Sequence, residues 1–367
     1  MARTVDFADG SSEKELWSHL FECGKPIILY GMGNGADKII SVLEGKVMSV
    51  SDFFASDGFV RGQLFHGKRV LSFAEVKEKY TDFIILAAFG SHLPEVCGAV
   101  RRLSEKYELY APDVPVAGDE LFDADFHEEN KARLNTAREL LADEQSRFVF
   151  DSVIKYKISG KIKYLFACES MQEDDMRAIF PRDFTAYCDL GAYTGDTLKS
   201  TLAIYGGIKK AVAFEPSAKV CKKLSAYAES TGIDICVCNL AAWDRREELP
   251  FADGAARNSL VTTVNDKERS GAKMRTVMGD ALDCHCGFYG EKLYIKYDVE
   301  GAEERALVGS QRLVAVNEPS LLVSAYHRSS DLFRLPALIH EMLPEHKIYL
   351  RKHPYIPAWD VNLYVTK

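Results

Sequence analysis

The stretch Thr185–Ser200, TAYCDLGAYTGDTLKS, decides the reading of the fold. A short apolar run ends in Asp189–Leu190, Gly191 and Gly195 follow, and a second acid, Asp196, comes straight after the last glycine. This order describes a β-strand that hands over, through a tight glycine turn, to a helix beginning between Thr194 and Thr197. Such a turn brings backbone N–H groups close to a ligand. The next apolar run, KKAVAFEPS, ends in Glu215, and an acid at the end of the second strand can accept both ribose hydroxyl hydrogens of an adenosine. Asp196 is a poor neighbour for a diphosphate and suits a positively charged ligand. The pattern D-x-G-x-x-x-G with Glu215 therefore points to S-adenosylmethionine, whose sulfonium and amino groups are cations, set against the plain alternative of a tight turn with no ligand.

Around this stretch an α/β pattern extends from Phe184 to the last residue. Strands are expected at Ala186–Leu190, Lys210–Phe214, Ile233–Cys238, Leu293–Asp298 and Ser320–Ala325, with helices after the first, second and fourth. A long segment between the third and fourth strands, AAWDRREELPFADGAARNSLVTTVNDKERSGAKMRTVMGDALDCHCG, suggests an inserted β-hairpin, with the charge run KERSGAKMR as a solvated loop. The terminal HKIYLRKHPYIPAWDVNLYVTK supplies two strands for an antiparallel edge. Upstream, KPIILYGMGNGADKIISVLEG reads as a strand Ile27–Tyr30, a turn with Gly31, Gly33 and Gly35, and an amphipathic helix. Val47–Phe54, KRVLSF, DFIILAAFG and YELYAPD continue a Rossmann-like alternation. The expected organisation is a Rossmann-like unit over 1–120, a helical connector over 121–183 with a break near Ala142–Asp143, and the larger α/β unit over 184–367. The first glycine turn fits G-x-G-x-x-G only with Ala36 in the last place. It reads as a nucleotide or nucleotide-sugar site with Asp52 or Asp57 on the ribose, or as simple close packing of strand and helix.

Composition removes several classes. With 47% hydrophobic and 27% charged residues in 367, the chain reads as an ordinary globular protein. It has no apolar run near the roughly 20 residues that span a bilayer, and MARTVDFADGSSEKE lacks a signal-peptide core. Nine cysteines fit a reducing compartment, and a cytoplasmic address is expected. A formal net charge of −8 argues against a general nucleic-acid binder. No membrane or nucleic-acid partner is expected; the acceptor is a small molecule or glycan, and a homo-oligomer is left open.

YCDLGAYTGDT, AFEPS, CNLAAWD, IKYDVEGAEERALVG, PSLLVSAYHRSSDLFRLPALI and LRKHPYIPAWDVNLY together resemble the ordered motifs of the FkbM family of S-adenosylmethionine-dependent methyltransferases. The resemblance covers about residues 139–367. It implies a seven-stranded methyltransferase sheet and methylation of a hydroxyl oxygen, often on a sugar or another polyol-like product. Matched onto this sequence, the cofactor falls to Asp189, Gly191, Ala192, Tyr193, Thr194, Gly195, Asp196, Thr197, Glu215, Pro216, Asn239, Ala241, Ala242 and Asp298. Asp360 departs from the family, which more often has Glu there.

Methyl transfer to a hydroxyl needs the acceptor oxygen in line with the methyl–sulfur bond, and either a base or a metal to take up the proton's role. Asp298, Glu300 and Glu303 follow the fourth strand, at the edge where open α/β sheets bind ligands. Asp298 is a candidate base or cation ligand. Glu300 and Glu303 are candidates beside it, or caps of the helix starting near Gly301. His327, just past the fifth strand, is the candidate general base. A divalent ion on Asp298 with Glu300 or Glu303 is the alternative, and no metal site is assigned. The pairs Cys236/Cys238 and Cys284/Cys286, with His285, lack zinc-knuckle spacing. Two other classes stay open: a nucleotide or nucleotide-sugar sensing protein with a methyltransferase fold that does not turn over, and an NAD-dependent oxidoreductase.

Overall fold

The computed structural model describes residues 2–7, 9–253, 260–261 and 273–367. A hairpin of β1 (Thr4–Asp6) and β2 (Ser12–Lys14) leads into α1 (Leu16–Cys23), which buries Leu16, Trp17 and Leu20. The apolar run Ile27–Tyr30 forms β3, buried at every position, and α2 (Asn34–Gly45) follows it. β4 (Asp52–Phe54), a small antiparallel hairpin of β5 (Leu64–Phe65) and β6 (Lys68–Arg69), and α3 (Phe73–Lys79) come next. With β7 (Ile84–Ala87), α4 (Pro94–Ser104) and β8 (Leu109–Tyr110), they give a parallel four-stranded sheet of order β4-β3-β7-β8.

This half departs from expectation in three places. Val47–Phe54 is strand only over β4; Val47, two residues past the end of α2, takes φ 60°, outside the extended region. KRVLSF adds no strand to the parallel sheet. Lys68–Arg69 folds back on β5, Leu71 makes one bridge to Phe54, and Ser72 then caps α3 in a reciprocal box with Glu75. Asp52 lies at the amino end of β4, away from the glycine turn, and its carboxylate accepts from Lys79 Nζ (2.7 Å) and Tyr80 Oη (2.5 Å). A Cβ on Gly35 would stand 2.6 Å from the Ala88 carbonyl, so this glycine lets α2 lie against the end of β7.

Between the two sheets the chain is helical: α5 (Ala124–Glu139), α6 (Glu144–Ser159), α7 (Lys163–Ala167) and α8 (Gln172–Ile179). Its break falls at Asp143, whose carboxylate caps α6 by accepting from Ser146 N at 2.7 Å.

The larger unit begins with β9 (Ala186–Leu190), α9 (Asp196–Ile204), β10 (Lys210–Phe214), α10 (Ala218–Ser230) and β11 (Asp234–Cys238). An insertion of β12 (Ala241–Ala242), β13 (Glu247–Asp253), β14 (Leu260–Val261) and β15 (Lys273–Asp280) forms its own sheet, in which β13 pairs antiparallel with β15. Residues 254–259 and 262–272, with most of the charge run, lie outside the described residues. Then come β16 (Leu293–Tyr297), α11 (Glu303–Val308), α12 (Gln311–Asn317), β17 (Ser320–Ser324), α13 (Asp331–Met342), β18 (Lys347–Lys352) and β19 (Val361–Thr366). The main sheet has seven strands in the order β11-β10-β9-β16-β17-β19-β18. β11 to β17 are mutually parallel, β19 runs antiparallel to β17, and β18 antiparallel to β19. Chain direction across the sheet reverses between β9 and β16, which opens a crevice at their carboxyl ends.

One apolar core runs through both halves, from Ile28 and Ile85 through Val149 and Val153 of α6 to Ile348 and Leu363 of the main sheet. Polar contacts stitch the same seam. Ser91 and Ile356 exchange backbone hydrogen bonds (2.8 and 3.0 Å), Ala142 N donates to Ile348 O, and the buried pair Lys157–Asp113 closes at 2.8 Å. A Cβ on Gly90 would fall 2.4 Å from the Trp359 ring, so the loop after β7 presses directly on the 355–359 segment. Among the described residues, no helix is long and apolar enough to cross a membrane.

Candidate functional site

The crevice at the β9/β16 switch opens into a cavity of about 410 Å³. On one side lies the turn after β9. Gly191 (φ 82°) and Gly195 (φ 90°) take left-handed backbone, and Tyr193 does so too at φ 47°. A Cβ on Gly191 would stand 1.9 Å from the Asp298 carbonyl oxygen, so only glycine lets the β9 turn pass the end of β16. Gly191 N and Ala192 N both donate to Phe214 O, fixing the turn to the end of β10. Gly191, Tyr193, Asp196 and Thr197 line the cavity, while Ala192 is fully buried behind them.

Asp189 does not face the cavity. It is fully buried, its Oδ2 accepting from Thr197 Oγ1 at 2.8 Å and its Oδ1 lying 3.3 Å from Lys296 Nζ. Lys296 is the residue that sequence reasoning missed. It stands in the middle of the buried strand β16, reaches Asp189, Asp298 Oδ2 (3.5 Å) and Gly191 O (3.2 Å), and lines the cavity. A lysine inside the run LYIKYD was the available signal, since a charge in a two-sided buried strand needs a partner. Burial works against its charged form, but Asp189 and Asp298 outweigh it and hold the ammonium well above its ordinary pKa.

Glu215 closes the same side from the end of β10. It is buried and lines the cavity; its Oε1 accepts from Ser217 N at 2.7 Å. Burial pushes its carboxyl up to about 7 against the pull of the Ser217 and Tyr193 N–H groups and the charge of Lys296. Pro216, Ala241 and Ala242 complete the wall. Asn239 sits outside it and pins the strand end by donating from Nδ2 to Glu215 O (2.9 Å) and Pro216 O (3.0 Å).

The rest of the cavity lining includes Asp298, Glu300, Tyr326, Tyr355, Trp359 and Asp360, with Val116 from the segment joining the two halves. Tyr326 Oη donates weakly to Asp298 Oδ1 at 3.4 Å, and Asp360 Oδ1 accepts from Asn362 Nδ2 at 2.6 Å. The Tyr355 and Trp359 rings lie 5.4 Å apart at 41° and form an aromatic face. Glu300 is held at φ 55°, and burial raises its carboxyl to about 7.

His327 is placed differently from its expected role. It has no exposed surface and does not line the cavity; it sits behind Asp298 and Glu300, with Nε2 3.6 Å from Asp298 Oδ1 and 3.5 Å from Glu300 Oε2. Nδ1 faces Glu303 Oε1 at 3.0 Å, off the angle of a hydrogen bond. Burial opposes the imidazolium, yet Glu303, Glu300 and Asp298 prevail and raise it to about 10. A base needs a free lone pair directed at its proton donor, and this ring offers the cavity none. The expectation of a His327 general base is therefore corrected to a buried cationic or ligating ring. Glu303, also buried, accepts from Val299 N (2.9 Å) and Gly301 N (3.4 Å) and organises the turn that carries Glu300; the helix that it opens has no side-chain cap, so the capping alternative is not what these contacts form.

Among the described residues, the cysteine-rich segments do not bring three ligating side chains into one group. Cys188 and Cys286 approach at 3.6 Å, Cys236 and Cys238 at 3.9 Å, and His285 Nε2 turns to Asp280 at 2.9 Å. Among the described residues, the group of metal-ligating side chains gathered closely enough to hold an ion is Asp298, Glu303 and His327.

No protein-family model matches the chain, and no curated protein matches it. Among solved structures, methyltransferase FkbM from Methylobacillus flagellatus KT shares its fold at TM-score 0.70 and 20% identity, over 93% of this chain and 90% of that one. An rRNA methylase from Streptococcus thermophilus overlaps 53% of this chain and 93% of its own at 12% identity and TM-score 0.33. A SAM-dependent methyltransferase from Aquifex aeolicus overlaps 56% and 97% at 9% identity and TM-score 0.31. The first similarity extends the seven-stranded α/β arrangement to a protein of nearly the same span; the other two are too loose to argue from.

Proposed function

We propose that the protein is an S-adenosylmethionine-dependent O-methyltransferase acting on a hydroxyl of a sugar, glycan or related polyol. The observation that carries this reading is the convergence on one cavity of a glycine turn, a buried acid on the neighbouring strand end and the carboxylate pair Asp298 and Glu300 past the end of β16. Glu215 suits the two ribose hydroxyls of an adenosine, which donate to an ionised carboxylate. Gly191 and Tyr193 line the cavity at the switch point where the cofactor would cross, and Asp196 and Asp298 offer negative charge to its amino and sulfonium groups. The fold shared with methyltransferase FkbM supports the same assignment.

The acceptor lies between the carboxylates and the Tyr355–Trp359 face, which suits the apolar face of a sugar ring. In the transfer, the acceptor oxygen bonds to the methyl carbon as the methyl–sulfur bond breaks, and the sulfur leaves as the neutral thioether S-adenosylhomocysteine. The hydroxyl proton passes to the Asp298/Glu300 pair. Glu300, raised to about 7, is the better acceptor at neutral pH, whereas Lys296 and His327 hold Asp298 low against its burial. Most of the rate then comes from positioning in the cavity.

Calorimetry with S-adenosylhomocysteine, NAD and a UDP-sugar in parallel tests the cofactor. Release of S-adenosylhomocysteine in the presence of a glycan and polyol panel tests the reaction. Binding of NAD alone would overturn the reading, and S-adenosylhomocysteine binding without turnover on any hydroxyl would reduce the protein to a sensor.

A further inference from the structure

We infer that the acceptor is a cationic polyol, an amino sugar or aminocyclitol, whose ammonium group is received by Asp360 beside the Tyr355 and Trp359 rings. That this cation is the methyl acceptor rests on the methyl-transfer reading; its recognition by the cavity does not. Among the described residues, the cavity wall carries five acids, Asp196, Glu215, Asp298, Glu300 and Asp360, and one base, Lys296. Lys296 is already committed to Asp189, Asp298 and Gly191 O. Lys352, which donates to Tyr355 O at 2.9 Å, is fully buried and held by Glu169 at 2.6 Å. S-adenosylmethionine brings one net positive charge, its sulfonium and ammonium set against one carboxylate. Even with Glu215 and Glu300, both raised to about 7, in their neutral forms, Asp196, Asp298 and Asp360 outnumber Lys296 and the cofactor's net charge. A uronate, a phosphorylated sugar or a nucleotide sugar would add like charge to this wall, whereas an ammonium group balances it.

Asp360 is the acid of this wall that neither the cofactor nor the proton transfer employs. It follows Trp359 in the chain and is fixed from two directions: His353 N donates to its carbonyl at 3.0 Å, and Asn362 Nδ2 donates to its Oδ1 at 2.6 Å. Its φ of 62° is left-handed, a conformation that a residue other than glycine keeps only where its surroundings hold it. The carboxylate is therefore set in place before any ligand arrives, and Asn362 engages one of its two oxygens. The aromatic pair is an observation independent of the charge count and leads to the same ligand. An amino sugar presents an apolar ring face and an ammonium group. The Tyr355 and Trp359 rings, 5.4 Å apart at 41°, suit the first by packing, and their π faces attract the second.

The test is a saturation-transfer NMR titration of the full chain at pH 7, with and without S-adenosylhomocysteine, using glucosamine, N-acetylglucosamine, glucose and glucuronate. Glucosamine is expected to bind at least about tenfold more tightly than each of the other three, which share its ring. In Asp360→Asn this preference should shrink to within about twofold, with S-adenosylhomocysteine affinity unchanged by calorimetry. Asn takes left-handed backbone readily and keeps an Oδ1 for Asn362, and retained S-adenosylhomocysteine binding certifies the fold. The wild-type series alone decides the matter should the variant fail to fold. Glucose or glucuronate bound as tightly as glucosamine, no binding of any of the four, or a preference unchanged in Asp360→Asn overturns the inference. S-adenosylhomocysteine bound with no preference for glucosamine removes the inference and leaves methyl transfer standing. A preference for glucosamine that Asp360→Asn abolishes, in a protein that does not bind S-adenosylhomocysteine, upholds the cation site and removes the methyl-transfer reading instead.

Discussion

Raising the pH from 6 to 8 should tighten cofactor binding through a single carboxylate. Burial lifts Glu215 to about 7 in the free protein, with the Ser217 and Tyr193 N–H groups and Lys296 pulling it down and Asp189 pushing it up. An adenosine ribose donates two hydrogen bonds, which only the ionised form accepts fully. At pH 6 about one chain in eleven carries that form, and at pH 8 about ten in eleven, so the affinity for S-adenosylhomocysteine should rise about tenfold, or ~1.4 kcal/mol. Glu215→Gln keeps the Oε1 acceptor for Ser217 N but cannot ionise. It should flatten the profile and weaken binding at pH 8 by about 1.5–3 kcal/mol. The sign reverses for stability. A carboxyl raised from 4.5 to about 7 binds its proton more tightly when folded, so its contribution is greatest below pH 4.5 and is lost as pH climbs to about 7. Ligand-free Glu215→Gln should therefore be more stable than the wild type at pH 8, by up to about 3 kcal/mol, and equal to it near pH 4. Calorimetry at three pH values and urea unfolding of both proteins measure the two effects. A wild-type affinity that does not change between pH 6 and 8, or a Gln variant with the same pH slope, would refute the assignment; the second outcome would move the titration to Glu300.

Lys296→Met should leave Asp189 and Asp298 facing each other without their shared cation and lower stability by about 3–5 kcal/mol in urea unfolding. Gly191→Ala combines a left-handed φ with overlap against the Asp298 carbonyl; it should cost more than about 2 kcal/mol and abolish S-adenosylhomocysteine binding by calorimetry. Trp359→Ala should raise KM for the acceptor while leaving S-adenosylhomocysteine affinity within about twofold, because Trp359 lines the cavity from the 355–359 segment and not from the ends of β9 and β10 that carry Gly191 and Glu215.

The main sheet was legible because its parallel strands are buried on both faces and read as unbroken apolar runs closed by Asp, Glu or Gly. Ala186–Leu190 and Lys210–Phe214 appear at the expected bounds. Val70 and Leu71 misled for the same reason: an apolar pair looks like strand, although Ser72 stops it within one residue. In the site, Gly191, Glu215, Asp298 and Glu300 follow from their positions at strand ends. What period and spacing do not encode is which way a side chain turns once the strand has ended. His327 follows β17 as expected, yet it points inward, because Ala117 N donates to His327 O and the 115–120 segment covers the loop. Tyr355, Trp359 and Val116 come from segments remote in sequence, so no local pattern could join them to the cavity.

The exchange of hydrogen bonds between Ser91 and Ile356 matters to anyone who would redesign this chain. The aromatic face of the cavity is braced by a loop that belongs to the smaller sheet, and Gly90 leaves no space between that loop and Trp359. Replacing the first 120 residues with those of another protein would thus not be a neutral graft. Choice of acceptor could drift under changes at residues 89–92 that never meet the acceptor, and libraries confined to the cavity lining would miss those positions.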